Sequence, residues 1–321
     1  MARVCPEVCE APYSSTLVAR RNKGCHCHTD AARLIQMKRN RGTTALLPLF
    51  GRLLLRREWV AAGYVLGWGV VKHLPEAWGR GLFRRAAHTV GYNKQLAKNL
   101  TRVLGRTPTL EEIRDGLASY ARYWYEAFAL DRVVPDALNI DGIDNLDPSR
   151  GAVITLTHSG NWDLAGVALV REVGGLSTVA EHLRPDELYQ AFVAYRENLG
   201  FTVYPHDEHP MGHLEDDVRA GAVVAMMGER DLKGHGVTVT FFGEKSTFPV
   251  GPAVLAQRAG VPLHVADVYF TDSGWGLSLR PAIEVTTVEE TAQRIANEFE
   301  ETVGAHPTDW HMLQPIWVAD R

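Results

Sequence analysis

The chain has 321 residues, 45% of them hydrophobic and 22% charged, which fits one large α/β domain or two small ones with a sizeable core. All four cysteines lie in the first 27 residues, so no disulfide framework supports that core, and no stretch reaches the roughly 18–20 apolar residues needed to span a bilayer. The net charge of −4 conceals an asymmetry: residues 1–105 carry 18 Lys and Arg against 5 Asp and Glu, and the remainder carries 16 against 33. Such a basic part meets an anionic surface, either nucleic acid or anionic lipid.

Residues 1–44 read as a polar, disordered leader holding Cys5, Cys9, Cys25 and Cys27. It has no continuous apolar run of the kind a secretory signal needs. Its Cys25-His26-Cys27-His28 tract lacks the two-to-four-residue ligand spacing and the second pair of a zinc site.

Residues 45–135 form a helical, membrane-associating part. Ala45–Leu55 is broken by Pro48 and Arg52, and Trp59–Val71 has only thirteen residues. Trp59, Tyr64 and Trp68 are flanked by Arg52, Arg56, Arg57, Lys72, Arg80, Arg84 and Arg85, a combination suited either to an anionic membrane surface or to a buried helix pair with a solvated basic face. Further on, Leu110, Ile113, Leu117, Tyr120, Trp124 and Phe128 recur at helical spacing, with Thr109 as the N-cap and Glu111 and Glu112 in the first turn.

Residues 136–321 form a catalytic core integrated with those helices. The apolar, β-branched run Gly151–Thr157 predicts a buried strand, followed by a helix over Trp162–Val173. Strands follow at Leu176–Ala180, Phe201–Tyr204, Ala222–Met227, Val237–Phe242, Pro262–Phe270 and Trp275–Arg280. Helices are expected at Pro185–Leu199, Leu214–Ala220, Val250–Ala259 and Thr287–Val303. This alternation predicts a mainly parallel central sheet flanked by helices.

Open α/β sheets build their sites at the carboxyl ends of strands. The first strand delivers Thr157-His158-Ser159-Gly160-Asn161-Trp162-Asp163 into such a turn. Of 13 histidines, His158 alone is followed by Asp five positions later. A His158–Asp163 pair would make a general base oriented by its carboxylate; the alternative is a structural histidine capping a turn. Glu229, Arg230 and Asp231 emerge from a second buried strand, either as a solvated loop or aimed into the same cleft. Arg196 lies off the apolar stripe of its helix, where a surface charge is expected. His206, His209 and His213 suggest a metal-dependent hydrolase as a second reading, with Pro210 against it. There is no nucleophile elbow, Walker A loop or dinucleotide fingerprint. No nucleic-acid module accompanies the basic part, which leaves lipid as its partner.

Three blocks, ITLTHSGNWDLAG, MMGERDLKGHGVTVTFFGEKSTFPVGPAVLAQRAGVPL and HPTDWHMLQPIW, together resemble the bacterial lipid A biosynthesis type acyltransferases. EHLRPDELYQAFVAYRENLGF and the Trp310–Trp317 tail are most similar to the actinobacterial phosphatidylinositol mannoside acyltransferases. The resemblance implies a glycerolipid acyltransferase-like fold at the cytoplasmic face of the membrane. It implies a long acyl chain, typically palmitoyl, passed from acyl-CoA or an acyl carrier protein to a glycolipid mannose hydroxyl, with no cofactor and no metal. It also implies catalytic roles for His158, Asp163 and Glu229, with Glu181 and Arg196 lining the acceptor pocket. Asn161, Trp162 and Arg230 join them as substrate-binding positions. The main alternative outside catalysis is a lipid-binding protein in which His158 is structural.

Overall fold

The computed structural model describes residues 46–321 except positions 57, 72, 136, 137, 148, 183, 233 and 273. The cysteines of the expected leader lie outside the described residues.

Helices lead the described chain: α1 (Leu46–Leu55), α2 (Trp59–Val71), α3 (Glu76–Val90), α4 (Lys94–Leu104), α5 (Leu110–Phe128) and the short α6 (Leu130–Val133). The start of α5 follows from its sequence. The Thr109 hydroxyl accepts from the Glu112 N–H, and the Glu112 carboxylate accepts from the Thr109 N–H at 2.7 Å, a complete capping box. Its predicted apolar stripe sends Ile113, Leu117 and Phe128 inward but leaves Leu110 exposed. Tyr123, Tyr125 and Glu126 are buried as well, so α5 is enclosed on more than one face.

The α/β part alternates β1 (Ala152–Leu156), α7 (Trp162–Val173), β2 (Leu176–Ala180), α8 (Asp186–Glu197), β3 (Phe201–Pro205), α9 (Met211–Arg219) and β4 (Val223–Met227). After the hairpin β5 (Val237–Phe241) and β6 (Glu244–Phe248) come α10 (Gly251–Ala259), β7 (Leu263–Phe270), β8 (Trp275–Leu279) and α11 (Val288–Ala305). The six-stranded sheet has the order β3-β2-β4-β1-β7-β8. Every neighbouring pair is parallel except β7–β8, so the sheet is mainly parallel, as the alternation predicts.

β1 lies inside the sheet with all five residues buried. Successive side chains serve opposite faces. Val153 joins Val265, Leu255 and Phe299 on one side, while Ile154 and Leu156 join Leu164, Leu169 and Phe201 on the other. This two-sided burial explains the unbroken apolar run.

One prediction needs correction. Val237–Phe241 does not enter the central sheet but pairs antiparallel with β6, a strand not predicted. The polar sequence Glu244-Lys245-Ser246 hid β6. Phe242 and Gly243, with φ of 48° and 76°, form the tight turn whose positive φ values match hairpin twist. Trp68, which the sequence left open between a membrane surface and a buried helix pair, is buried and stacks on Phe192 with ring centroids 5.0 Å apart. Trp59, Trp78, Leu82 and Leu55 are exposed on α1–α3 instead. Among the described residues, no helix is long and apolar enough to cross a membrane.

Candidate active site

β1 ends at the turn carrying His158, and the adjacent parallel strand β4 ends at Gly228-Glu229, so sheet register brings the two residues side by side. The Glu229 side chain is fully buried, and its Oε1 accepts from the His158 backbone N–H at 2.6 Å and lies 2.8 Å from His158 Nδ1. Its second oxygen, Oε2, has no hydrogen-bond partner among the described residues. Gly228 makes this approach possible, because a Cβ there would stand 2.2 Å from Thr155 Oγ1 and 2.8 Å from the Phe299 ring. Burial pushes the Glu229 carboxyl up, but attraction to His158 and its hydrogen bonds override this and hold it below the ordinary carboxylate value.

An ionised carboxylate only accepts hydrogen bonds, so the imidazole donates from Nδ1 and leaves the lone pair on Nε2. The His158 side chain keeps 24% exposure, so its ring reaches solvent while its partner does not. The ring stands edge-on to Trp162 at 5.3 Å, and Trp162 stacks on Tyr123 at 3.7 Å.

Asp163 is not the partner of His158. Its Oδ1 accepts from Arg196 Nε at 2.9 Å and its Oδ2 from the Tyr123 hydroxyl at 3.0 Å. The five-residue spacing turns Asp163 into the first turn of α7, towards α5 and α8 and away from the imidazole. Arg196 is correspondingly no free surface charge. Although burial opposes its charge, Asp163 holds the guanidinium protonated beyond its ordinary range. Burial and Asp163 together raise the Tyr123 hydroxyl.

The turn between His158 and α7 is held from both sides. Ser159 pairs with Trp310, and the His311 N–H donates to the His158 carbonyl at 2.8 Å. The Ser159 and Gly160 N–H groups are already engaged, by the carbonyls of Thr157 and Asp309 at 2.8 and 2.9 Å. Asn161 is the N-cap of α7, its Oδ1 accepting from the Leu164 N–H at 3.0 Å.

Glu181 and Arg230 face each other at 3.7 Å beyond the ends of β2 and β4. The three histidines of the metal reading do not converge. His206 Nδ1 accepts from the His182 N–H, His213 stacks on Tyr204, and His209 sits at φ 55° before α9. Among the described residues, no group of three His, Cys, Asp or Glu is placed to hold a metal.

The sequence reading missed Glu126 and His311. His311 is buried among Tyr120, Tyr123, Trp162 and Phe270, with Ser119 Oγ 2.9 Å from Nε2. Burial, then the nearby His158, lower its pKa to about 3, so it stays neutral. The signal for Glu126 was a lone acid inside the aromatic run YWYEAF.

Residues 51–318 match the family model of bacterial lipid A biosynthesis acyltransferases. The chain belongs to this acyltransferase family. It is 41% identical over 293 residues to a phosphatidylinositol mannoside acyltransferase of Mycolicibacterium smegmatis, covering 85% of this chain and 96% of the relative. To the enzyme of the same name from Mycobacterium tuberculosis it is 43% identical over 278 residues, covering 80% and 88%. Among solved structures it matches the 1-acyl-sn-glycerophosphate acyltransferase of Thermotoga maritima at a TM-score of 0.37 and 13% identity, covering 71% of this chain and 95% of that one.

The geometry separates two carboxylates in this acyltransferase. Asp163→Ala leaves Arg196 and the Tyr123 hydroxyl without their acceptor, which costs about 1–3 kcal/mol for buried groups. Glu229→Gln keeps shape and one acceptor. Thermal melts are expected to show a lowered Tm of several degrees for Asp163→Ala and a smaller change for Glu229→Gln; equal melting of Asp163→Ala and the parent chain contradicts the clamp.

Proposed function

We propose that this chain transfers a long acyl group, palmitoyl in the first instance, from an acyl-CoA thioester to a mannose hydroxyl of a phosphatidylinositol mannoside. His158 acts as the general base. The observation that carries the reading is the 2.8 Å contact between His158 Nδ1 and the buried Glu229, which leaves Nε2 as the acceptor. The relatives' names supply the acceptor class.

A sugar hydroxyl is a poor nucleophile until its proton leaves. The hydroxyl donates to Nε2, its oxygen attacks the thioester carbonyl carbon, and the carbonyl oxygen becomes an oxyanion. Glu229 stabilises the imidazolium formed in that step. In the turn after β1, the N–H groups of Ser159 and Gly160 serve the fold. The N–H groups of Asn161 and Trp162, at the start of α7 where the helix dipole adds to them, are the oxyanion donors. Collapse breaks the C–S bond, and the departing thiolate takes the proton back from Nε2. Base and acceptor suffice for direct transfer, with no acyl-enzyme, metal or cofactor beyond the donor. An acyl carrier protein thioester would serve the same chemistry. Glu181, Arg196 and Arg230 border the polar acceptor side, while Trp162 and the N-terminal helices wall the acyl chain.

In a single-turnover assay with labelled acyl-CoA and the glycolipid, His158→Ala is expected to lose at least the ~10²–10⁴-fold typical of general-base catalysis. Near-parent turnover in a folded His158→Ala protein overturns the role of His158 as base, whereas no transfer by the parent chain itself leaves lipid binding as the reading.

The chain is further proposed to dock peripherally at the cytoplasmic face of an anionic membrane. Exposed Trp59, Trp78 and Leu82 supply apolar and aromatic contacts, and Arg84 and Arg85 on α3 supply charge. Arg56 and Arg80 are drawn into ion pairs with Glu187 and Glu126, so they contribute less than the sequence suggests. Attraction is worth about 1 kcal/mol per basic residue near the surface and is screened by salt. Flotation with liposomes should need anionic lipid, weaken as salt rises, and fall in Trp78→Ala/Arg84→Gln/Arg85→Gln. Equal binding to neutral and anionic liposomes at low salt contradicts this docking.

A further inference from the structure

Glu126 on α5 is fully buried, yet the sequence offers no reason for an acid among Tyr123, Trp124, Tyr125 and Phe128. Its carboxylate gathers four donors from four parts of the fold. Oε2 accepts from Asn161 Nδ2 at 2.9 Å and from Trp275 Nε1 of β8 at 2.6 Å. Oε1 accepts from Arg122 Nε at 2.8 Å and lies 3.1 Å from an Arg80 guanidinium nitrogen on α3.

The contact with Asn161 links this cluster to the reaction. Asn161 is itself fully buried, and its two amide ends have different tasks: Oδ1 caps α7 and Nδ2 is held by Glu126. These partners fix which end of the amide is oxygen and which is nitrogen. They also hold the residue whose backbone N–H, with that of Trp162, faces the reaction in the reading above. A carboxylate near a developing oxyanion would oppose it, but here two guanidiniums outweigh one carboxylate. Stability alone does not account for the cluster, because buried ion pairs are often no better for stability than well-packed apolar residues.

We propose that Glu126 is a positioning residue that, by gripping the Asn161 side chain, sets the oxyanion-binding amides at the start of α7. This inference rests on the proposed acyl transfer and adds a residue to it. Preorganised donors act on the transition state rather than on substrate binding. A loosened turn therefore lowers kcat and spares KM.

The test is a double-mutant cycle of Glu126→Gln and Asn161→Ala, assayed well below each variant's Tm alongside His158→Ala. Glu126→Gln is expected to lower kcat about 10–100-fold, a mispositioned donor costing less than the 10²–10³-fold of a deleted one. KM for acyl-CoA should stay within about twofold, the pH profile should not move, and the double variant should be no slower than Asn161→Ala. A folded Glu126→Gln at the parent kcat, or losses that multiply in the double variant, overturns the inference. If Glu126→Gln does not fold, Asn161→Asp reads the same contact, since it keeps the N-cap acceptor and removes the donor to Glu126; an unchanged kcat there overturns it equally. His158→Ala separates the two levels: turnover retained in it sinks the base mechanism on which the inference rests, whereas turnover lost there but kept in Glu126→Gln sinks the role of Glu126 alone.

Discussion

A carboxylate removed from water must be matched by donors, and at Glu229 both donors to Oε1 come from His158, one from the ring and one from the backbone. That match sets the orientation of the imidazole and the position of its free nitrogen. It requires β1 and β4 to be parallel neighbours ending at the same level, and it requires Gly228, since any Cβ there would collide with Thr155 and Phe299. The parallel sheet, the two-sided burial of β1 and the packing of α11 against it all serve to bring one histidine and one glutamate to the same edge.

A second carboxylate, five residues after the histidine, has a different task. Asp163 ties α7 to α8 through Arg196 and to α5 through Tyr123, so the first turn of α7 is held by two other helices. Glu126 on α5 accepts from Asn161, the N-cap of α7, and the Trp310–His311 segment holds the strand side. The turn between His158 and α7 is thus restrained along its whole length by buried polar contacts. In the proposed acyl transfer, such rigidity suits backbone N–H groups that meet a charge existing only in the transition state.

Much of this was legible in the sequence, for identifiable reasons. The unbroken apolar run of β1 and its abrupt ending at Thr157-His158 announced a buried strand with a polar exit, and Thr109 before Glu111 and Glu112 announced the N-cap of α5. Glu229 could be suspected because charges directly after a buried strand have few places to go. The pairing of His158 was less accessible. Proximity in sequence favoured Asp163, whereas sheet register, which is non-local, selected Glu229. Glu126 was invisible to helical periodicity because α5 is buried on more than one face, and β6 was hidden by its polar run 244–247, whose one buried side chain before Phe248 is a serine. Trp68 looked like an interfacial aromatic but packs on Phe192 and Tyr195 of a helix more than a hundred residues away.

The central claim is that Glu229 holds His158 with its proton on Nδ1 and its lone pair on Nε2. Nitrogen-15 NMR of histidine-labelled protein at neutral pH measures that tautomer directly, with His158→Gln assigning the signal. The account predicts a protonated Nδ1, an unprotonated Nε2, and a downfield Nδ1–H proton that disappears or shifts strongly upfield in Glu229→Ala. A His158 resonance showing the proton on Nε2, or one unaffected by loss of Glu229, contradicts it.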